Sequence, residues 1–369
     1  MGLNDNVDAA IDAALVSRIV GCTVLINQHG KEIYARSAGL ADREANRPLQ
    51  RNAIWRLASV TKPIVATAAL RMMEDGLLKL DDPVTTYLPY FTPPSPDGVV
   101  RPITLRQLFA HTSGLAYETT PKDVAPGMSG PIISLEENLR RLAKAPLLFS
   151  PGTGWAYGTS IDVLGGVVAA INGSSLEEAV KKYVARPLGM VDWGFTPTDP
   201  ARVTANYATG TPPDTIVLPA RITDENSQGT GWEVSRIFNA DAPQSGGGGS
   251  CGTADDVMKM LQVYNGGSLL KAATVTEALS NQVGSLPRRP SDAGKRFTLI
   301  GAVIDDPKAA HSPCPVGTVD WGGAWGHNWI VDPINKVTVL VCTNSAPDGC
   351  NGPFRDEIRD AVYAALVKS

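Results

Sequence analysis

From Val60 to Asp75 the chain can form a helix that is apolar nearly all round, through Ile64, Val65, Ala68, Ala69 and Met72. A helix of that kind has to be enclosed by other elements rather than laid on a surface. Gly76 is its expected stop. The fold must therefore build packing layers around a segment close to the start of the chain. With 369 residues, 43% of them hydrophobic and 19% charged, the chain has material for such a core, as two or three domains or one large one.

The enclosing elements come from both ends. Val7, Ile11, Ala14 and Leu15 follow helical spacing and predict an amphipathic helix over residues 6–18. Cys22 to Asn27 and Glu32 to Ala38 read as two strands about the turn Gln28-His29-Gly30. Late in the chain, Phe297–Ile304, Val316–Trp321, Asn328–Val331 and Lys336–Cys342 read as strands, the last two joined by Asp332-Pro333-Ile334-Asn335. Phe354, Ile358, Ala361, Val362 and Ala365 predict a closing helix. Between these ends, Pro-rich loops alternate with short helices, one opened by a capping box at Thr104-Leu105-Arg106-Gln107 and one at Ser175–Glu178. Residues 198–232 read as loops. The organisation expected is an α/β domain from residues 1–76 and 241–369, with a mostly helical insertion at 77–240.

The net charge of −4, without long runs of either sign, points away from nucleic acid and anionic membranes as partners. Met1 to Asp5 lack the flank and apolar stretch of a signal peptide, and no apolar run nears the roughly 18 residues of a membrane span. The odd count of five cysteines reads as reduced thiols in a cytoplasmic protein. No cofactor is expected, and His311 and Cys314 are too isolated for a metal site.

Three short segments can carry chemistry. Ser59-Val60-Thr61-Lys62 opens the apolar helix and places a hydroxyl and an amine on one face. A serine becomes nucleophilic when a neighbour takes its proton, and a lysine can do so once burial and nearby positive charge lower its pKa. Taken alone, the four residues describe a helix cap and a surface cation more often than a catalytic pair. Tyr157-Gly158-Thr159-Ser160 precedes an apolar helix, where a phenol can reach a cleft and shuttle a proton or simply pack as core. Trp321-Gly322-Gly323-Ala324 ends a strand; its glycines allow close approach, as an oxyanion site or as a plain turn. A rival nucleophile is Ser250 in Gly248-Gly249-Ser250-Cys251-Gly252, which fits G-x-S-x-G with His327 as a partner. The glycine run before it makes a poor strand, which weighs against an elbow. His111 and His327 read as hydrogen-bonders that fix loops.

Serine–lysine pair, tyrosine and glycine-bearing strand, in that order, resemble the serine β-lactamases and penicillin-binding proteins. Ile54 to Pro63, Leu108 to Leu115, Pro243 to Gly247 and Trp325 to Pro333 extend the resemblance, which runs from about residue 10 to the C-terminus. Within that group the chain most resembles the family VIII carboxylesterases, relatives of class C β-lactamases. The resemblance implies an antiparallel sheet flanked by terminal helices, beside a mostly helical domain. It implies Ser59 as nucleophile, Lys62 as its base, and Tyr157 as partner in proton transfer. The N–H groups of Ser59 and Ala324 would hold the oxyanion. Tyr117, Trp321, Gly322 and Gly323 would line the substrate site, and the substrate would be a small ester. Two departures from class C enzymes stand out. Trp321-Gly322-Gly323 replaces Lys-Thr-Gly, removing a cation suited to a substrate carboxylate, and Thr159 stands in place of an asparagine. The alternatives are an amide-directed relative (a weak β-lactamase, D-amino-acid peptidase or acyltransferase) and a non-catalytic penicillin-binding module.

Overall fold

A computed structural model describes the chain except residues 1, 126, 128, 209, 216–219, 222–230, 347 and 367–369, and leaves out the side chains of 215, 220, 221, 231 and 232 as well. Strands β1 (Gly21–Gln28), β2 (Lys31–Asp42) and β3 (Arg47–Pro48) come from the start of the chain. Strands β4 (Lys295–Phe297), β5 (Ala302–Ile304), β6 (Val319–Gly323), β7 (His327–Asp332) and β8 (Val337–Thr343) come from its end. They form one eight-stranded antiparallel sheet in the order β4-β5-β6-β7-β8-β1-β2-β3. The seam between the two ends is β1 against β8, with Val24 opposite Val341 and Leu25 opposite Leu340.

Successive residues of a strand face opposite sides of a sheet, and here both sides are covered. Cys22, Val24 and Ile26 of β1, with Val337, Val339 and Val341 of β8, pack under helices α1 (Leu3–Leu15) and α5 (Pro353–Leu366) through Val7, Ile11, Phe354, Ile358 and Val362. Leu25, Leu340, Cys342, Trp329 and Val331 face the other way. There they join one core with α2 (Thr61–Glu74), α3 (Ser160–Asn172) and α4 (Ala254–Gln262). Helix α2 is buried along most of its length, as its all-round apolar surface requires.

The sequence-based boundaries shift in physically simple ways. The first helix runs Leu3–Leu15 rather than 6–18. The single strand expected over Phe297–Ile304 is a hairpin, β4 and β5. Thr298 makes the turn: its hydroxyl accepts from the N–H groups of Ile300 and Gly301 and donates to the Gly301 carbonyl. The strand expected from Val316 begins only at Val319, because Gly317 and Thr318 close a turn onto Ile304 and Pro315. The expected Asp332 turn forms, with Oδ1 accepting from Ile334 and Asn335. So does the Thr104–Gln107 capping box. Within 198–232, expected as loops, Tyr207–Ala208 pairs with Ser345–Ala346 and with Asp214–Thr215, and Ala220–Arg221 pairs with Gly231–Trp232; residues 216–219 and 222–230 of that stretch lie outside the described residues.

A short strand, Ile54–Arg56, pairs antiparallel with Cys251–Thr253, setting Trp55 opposite Gly252. This pairing carries the glycine run 246–249 against the start of α2, and Leu57 N–H bonds the Ser250 carbonyl. No helix among the described residues is long and apolar enough to cross a membrane.

Candidate active site

Ser59 lies in the tight turn Ala58–Val60 that runs straight into α2. Ala58 holds a left-handed backbone, φ 46°, which costs an L residue about 1–2 kcal/mol; such strain gathers where function fixes the chain. The Ser59 side chain does not cap the helix. Its Oγ lies 3.2 Å from Lys62 Nζ instead.

Lys62 is 4% exposed. Its three N–H donors have three acceptors: Ser59 Oγ, Tyr117 Oη at 3.2 Å and the Gly247 carbonyl at 2.5 Å. The ring of Tyr157 lies 4.6 Å from the same nitrogen. Burial works against the ammonium, but Tyr117, Tyr157 and Asp162 outweigh it, so Lys62 is held charged above the ordinary lysine range. Burial also pushes the Tyr117 phenol up to about 12, with Lys62 pulling the other way.

Both tyrosines singled out in the sequence meet Lys62. Tyr117, expected as pocket lining, is the hydrogen-bond partner of Lys62. Tyr157 meets the lysine with its ring, and its Oη accepts the indole N–H of Trp321 at 2.9 Å. Trp321 thus supplies a neutral donor where Lys-Thr-Gly would place a cation. Behind Tyr157 stand His111, Trp155 and Phe297, whose rings pack against one another. Arg288 and Arg289 lie over Trp155, Arg289 also over Trp321, and both pair with Asp292. Burial, together with Lys62, Arg288 and Arg289, holds the His111 imidazole neutral, well below its ordinary range.

Strand β6 ends against the serine turn. A Cβ on Gly323 would overlap the Leu57 carbonyl and come within 3.1 Å of Val60, so only glycine lets strand and turn approach this closely. The N–H groups of Ser59 and Ala324 donate to no backbone carbonyl among the described residues. Gly322 faces the other side of the sheet, where a Cβ would meet Cys350 Sγ at 2.7 Å. Ser59, Tyr117, Tyr157, Trp321 and Ala324 are all half-buried, so solvent reaches each of them.

Other candidates are occupied elsewhere. Ser250 is buried and shares a hydrogen bond with Thr61 Oγ1 at 2.7 Å. His327, the partner a Ser250 triad needs, donates Nε2–H to the Arg56 carbonyl at 2.8 Å and is pushed down by burial to about 4. The G-x-S-x-G pattern is therefore a structural crossing under the serine turn. Thr159 is buried at the head of α3 with no partner for its hydroxyl, so it does not reach a substrate. The sequence reading missed Asp162 and the carbonyl of Gly247. The one signal for Asp162 was a lone acid in the apolar run Ser160–Val168.

A sheet of this order, with the serine turn wedged between β6 and the glycine run, defines a serine-hydrolase architecture. The chain belongs to the Beta-lactamase family, whose model matches residues 7–363. It is 41% identical to Esterase EstB of Burkholderia gladioli over 97% of this chain and 94% of that protein. It is 30% identical to the lovastatin esterase of Penicillium rubens, over 89% of each. Among solved structures it matches EstCE1, described as a hydrolase with promiscuous acyltransferase activity, at TM-score 0.92 and 38% identity over 98% of both chains.

Proposed function

We propose that this protein is a serine carboxylesterase acting on small esters through an acyl-enzyme at Ser59. The observation that carries the reading is the Ser59–Lys62 contact at 3.2 Å in a cleft where Trp321, not a cation, stands beside Tyr157. Ser59 Oγ attacks the ester carbonyl carbon while its proton passes to Lys62 Nζ in the neutral form. The N–H groups of Ser59 and Ala324 hold the developing oxyanion. The carbon–alkoxy bond then breaks and the alkoxide takes a proton from Tyr157, whose O–H is given to no protein acceptor among the described residues. Lys62, joined to Tyr117 and Tyr157, restores that proton. Water repeats the sequence on the acyl-enzyme, releasing the acid and freeing Ser59. With a neutral indole N–H at Trp321, and the nearby Arg288 and Arg289 already paired with Asp292, the site favours uncharged esters over substrates bearing a carboxylate. The buried free thiols of Cys22, Cys251, Cys314 and Cys342 support a cytoplasmic setting.

The test is hydrolysis of p-nitrophenyl acetate and butyrate by wild type and Ser59→Ala. Activity is expected to vanish in the variant; equal rates would sink the assignment. The half-buried rings of Tyr117, Tyr157 and Trp321 also favour an apolar alcohol over water as second acceptor. Product analysis with vinyl butyrate and benzyl alcohol in water separates transfer from hydrolysis.

A further inference from the structure

Helix α3 buries Asp162, the one acid among the otherwise apolar residues of its first turns. A buried carboxylate is costly unless its oxygens are satisfied. Here Oδ1 accepts from Ser245 Oγ–H and, at 3.2 Å, from Gly247 N–H. Oδ2 has no partner and fills the place where a Cβ on residue 247 would sit. Only glycine allows the carboxylate that close. The carbonyl of the same Gly247 is the shortest contact of Lys62. Residue 247 is thus held on one side by Asp162 and grips the catalytic amine on the other.

This grip bears on the reaction. A neutral amine has two N–H groups and one lone pair. With Gly247 and Tyr117 taking the two N–H groups, the lone pair is left toward Ser59. If the Gly247 carbonyl moved, the amine would be free to turn its lone pair away. Asp162 also places a negative charge in the same dry region. The titratable groups facing Lys62 are Tyr117, Tyr157 and Asp162, with His111 beside them held neutral. Burial pushes the Asp162 carboxyl above its ordinary range, while the facing Lys62 and Arg236 and the hydrogen bonds from Ser245 and Gly247 favour its ionised form.

We propose that Asp162 is a positioning residue for the serine–lysine reaction, fixing the Gly247 carbonyl on Lys62 and supplying the buried counter-charge that sets when the lysine loses its proton. It touches neither substrate nor Ser59. The idea rests on the serine–lysine reading above. Removing the negative charge disfavours the ammonium, so Lys62 becomes neutral at lower pH.

The test uses a p-nitrophenyl alkylphosphonate diester from about pH 6 to 10. Ser59 Oγ bonds to phosphorus, p-nitrophenolate leaves, and the serine proton goes to Lys62. Release of p-nitrophenolate gives the rate, and peptide mass mapping gives the site. In wild type the rate should climb across the range. In Asp162→Asn the curve should bend to a plateau at least about one pH unit earlier, at a limiting rate about tenfold lower as the grip on residue 247 loosens; the two changes offset each other on the climb, so the bend is the readout. A folded Asp162→Asn protein whose rate still climbs to pH 10 as wild type does, without that bend, overturns the proposal. Should that variant not fold, Ser245→Ala decides. It removes one anchor of the carboxylate and keeps the charge, so the limiting rate should drop severalfold with the climb in place; wild-type rates there overturn the proposal. If no Ser59 adduct forms in wild type, the serine–lysine reading itself fails, and this inference with it.

Discussion

At the scale of single residues, the site is a small number of donors matched to acceptors around Lys62. Because Lys62 is held charged above its ordinary range, its reactive neutral fraction grows about tenfold per pH unit below that point. The logarithm of kcat/KM for p-nitrophenyl butyrate should therefore climb with a slope near one from about pH 6 to 9. Neither His111 nor His327 should add a step near 6.5; a plateau through neutral pH would remove the lysine as base. Lys62→Arg keeps the charge but cannot release a proton, so kcat/KM should fall at least about a thousandfold while the thermal midpoint stays close to wild type. Trp321→Phe keeps the ring and loses the N–H to Tyr157. A loss of about 1 kcal/mol, or fivefold to tenfold in kcat/KM, is expected. At this scale Ser59 and Lys62 were readable from spacing, because one helical turn fixes which side chains meet. That Tyr117 joins Tyr157 at Lys62 was not readable, because it depends on how two loops, 40 residues apart in the chain, settle around one nitrogen.

Between elements, the site depends on how closely β6 approaches the serine turn. Gly323→Ala would force the strand end off the Leu57 carbonyl and Val60. Displacing Ala324 N–H from Ser59 by even part of an ångström should lower kcat by about tenfold or more, together with a lower thermal midpoint; an active, equally stable variant would show that the approach is not needed. The strands and helices themselves were mostly legible, because apolar periodicity and turn chemistry are local. The Phe297–Ile304 segment shows where that signal fails. Its apolar content suits one strand, and only the Thr298 hydroxyl folding back on Ile300 and Gly301 makes it two.

Over the whole molecule, the two chain ends are joined by β1 against β8 and covered by α1 and α5. Ile358 is fully buried between helix and sheet, so Ile358→Ala should destabilise by about 2–5 kcal/mol, read as a lower denaturation midpoint with kcat unchanged at 25 °C. Cys22, Cys251, Cys314 and Cys342 are buried free thiols, so a reducing agent should leave the thermal midpoint where it is. Sequence alone determined the elements of this architecture and the meeting of Ser59 with Lys62, since both follow from periodicities of two and of three to four residues. Tertiary structure alone decided what surrounds that pair. Lys62 meets the Gly247 carbonyl across 185 residues of chain, and Asp162 holds residue 247 across 85. No local pattern encodes contacts of that span. They exist because burying α2, α3 and the glycine run in one core brings their polar groups together where water cannot satisfy them.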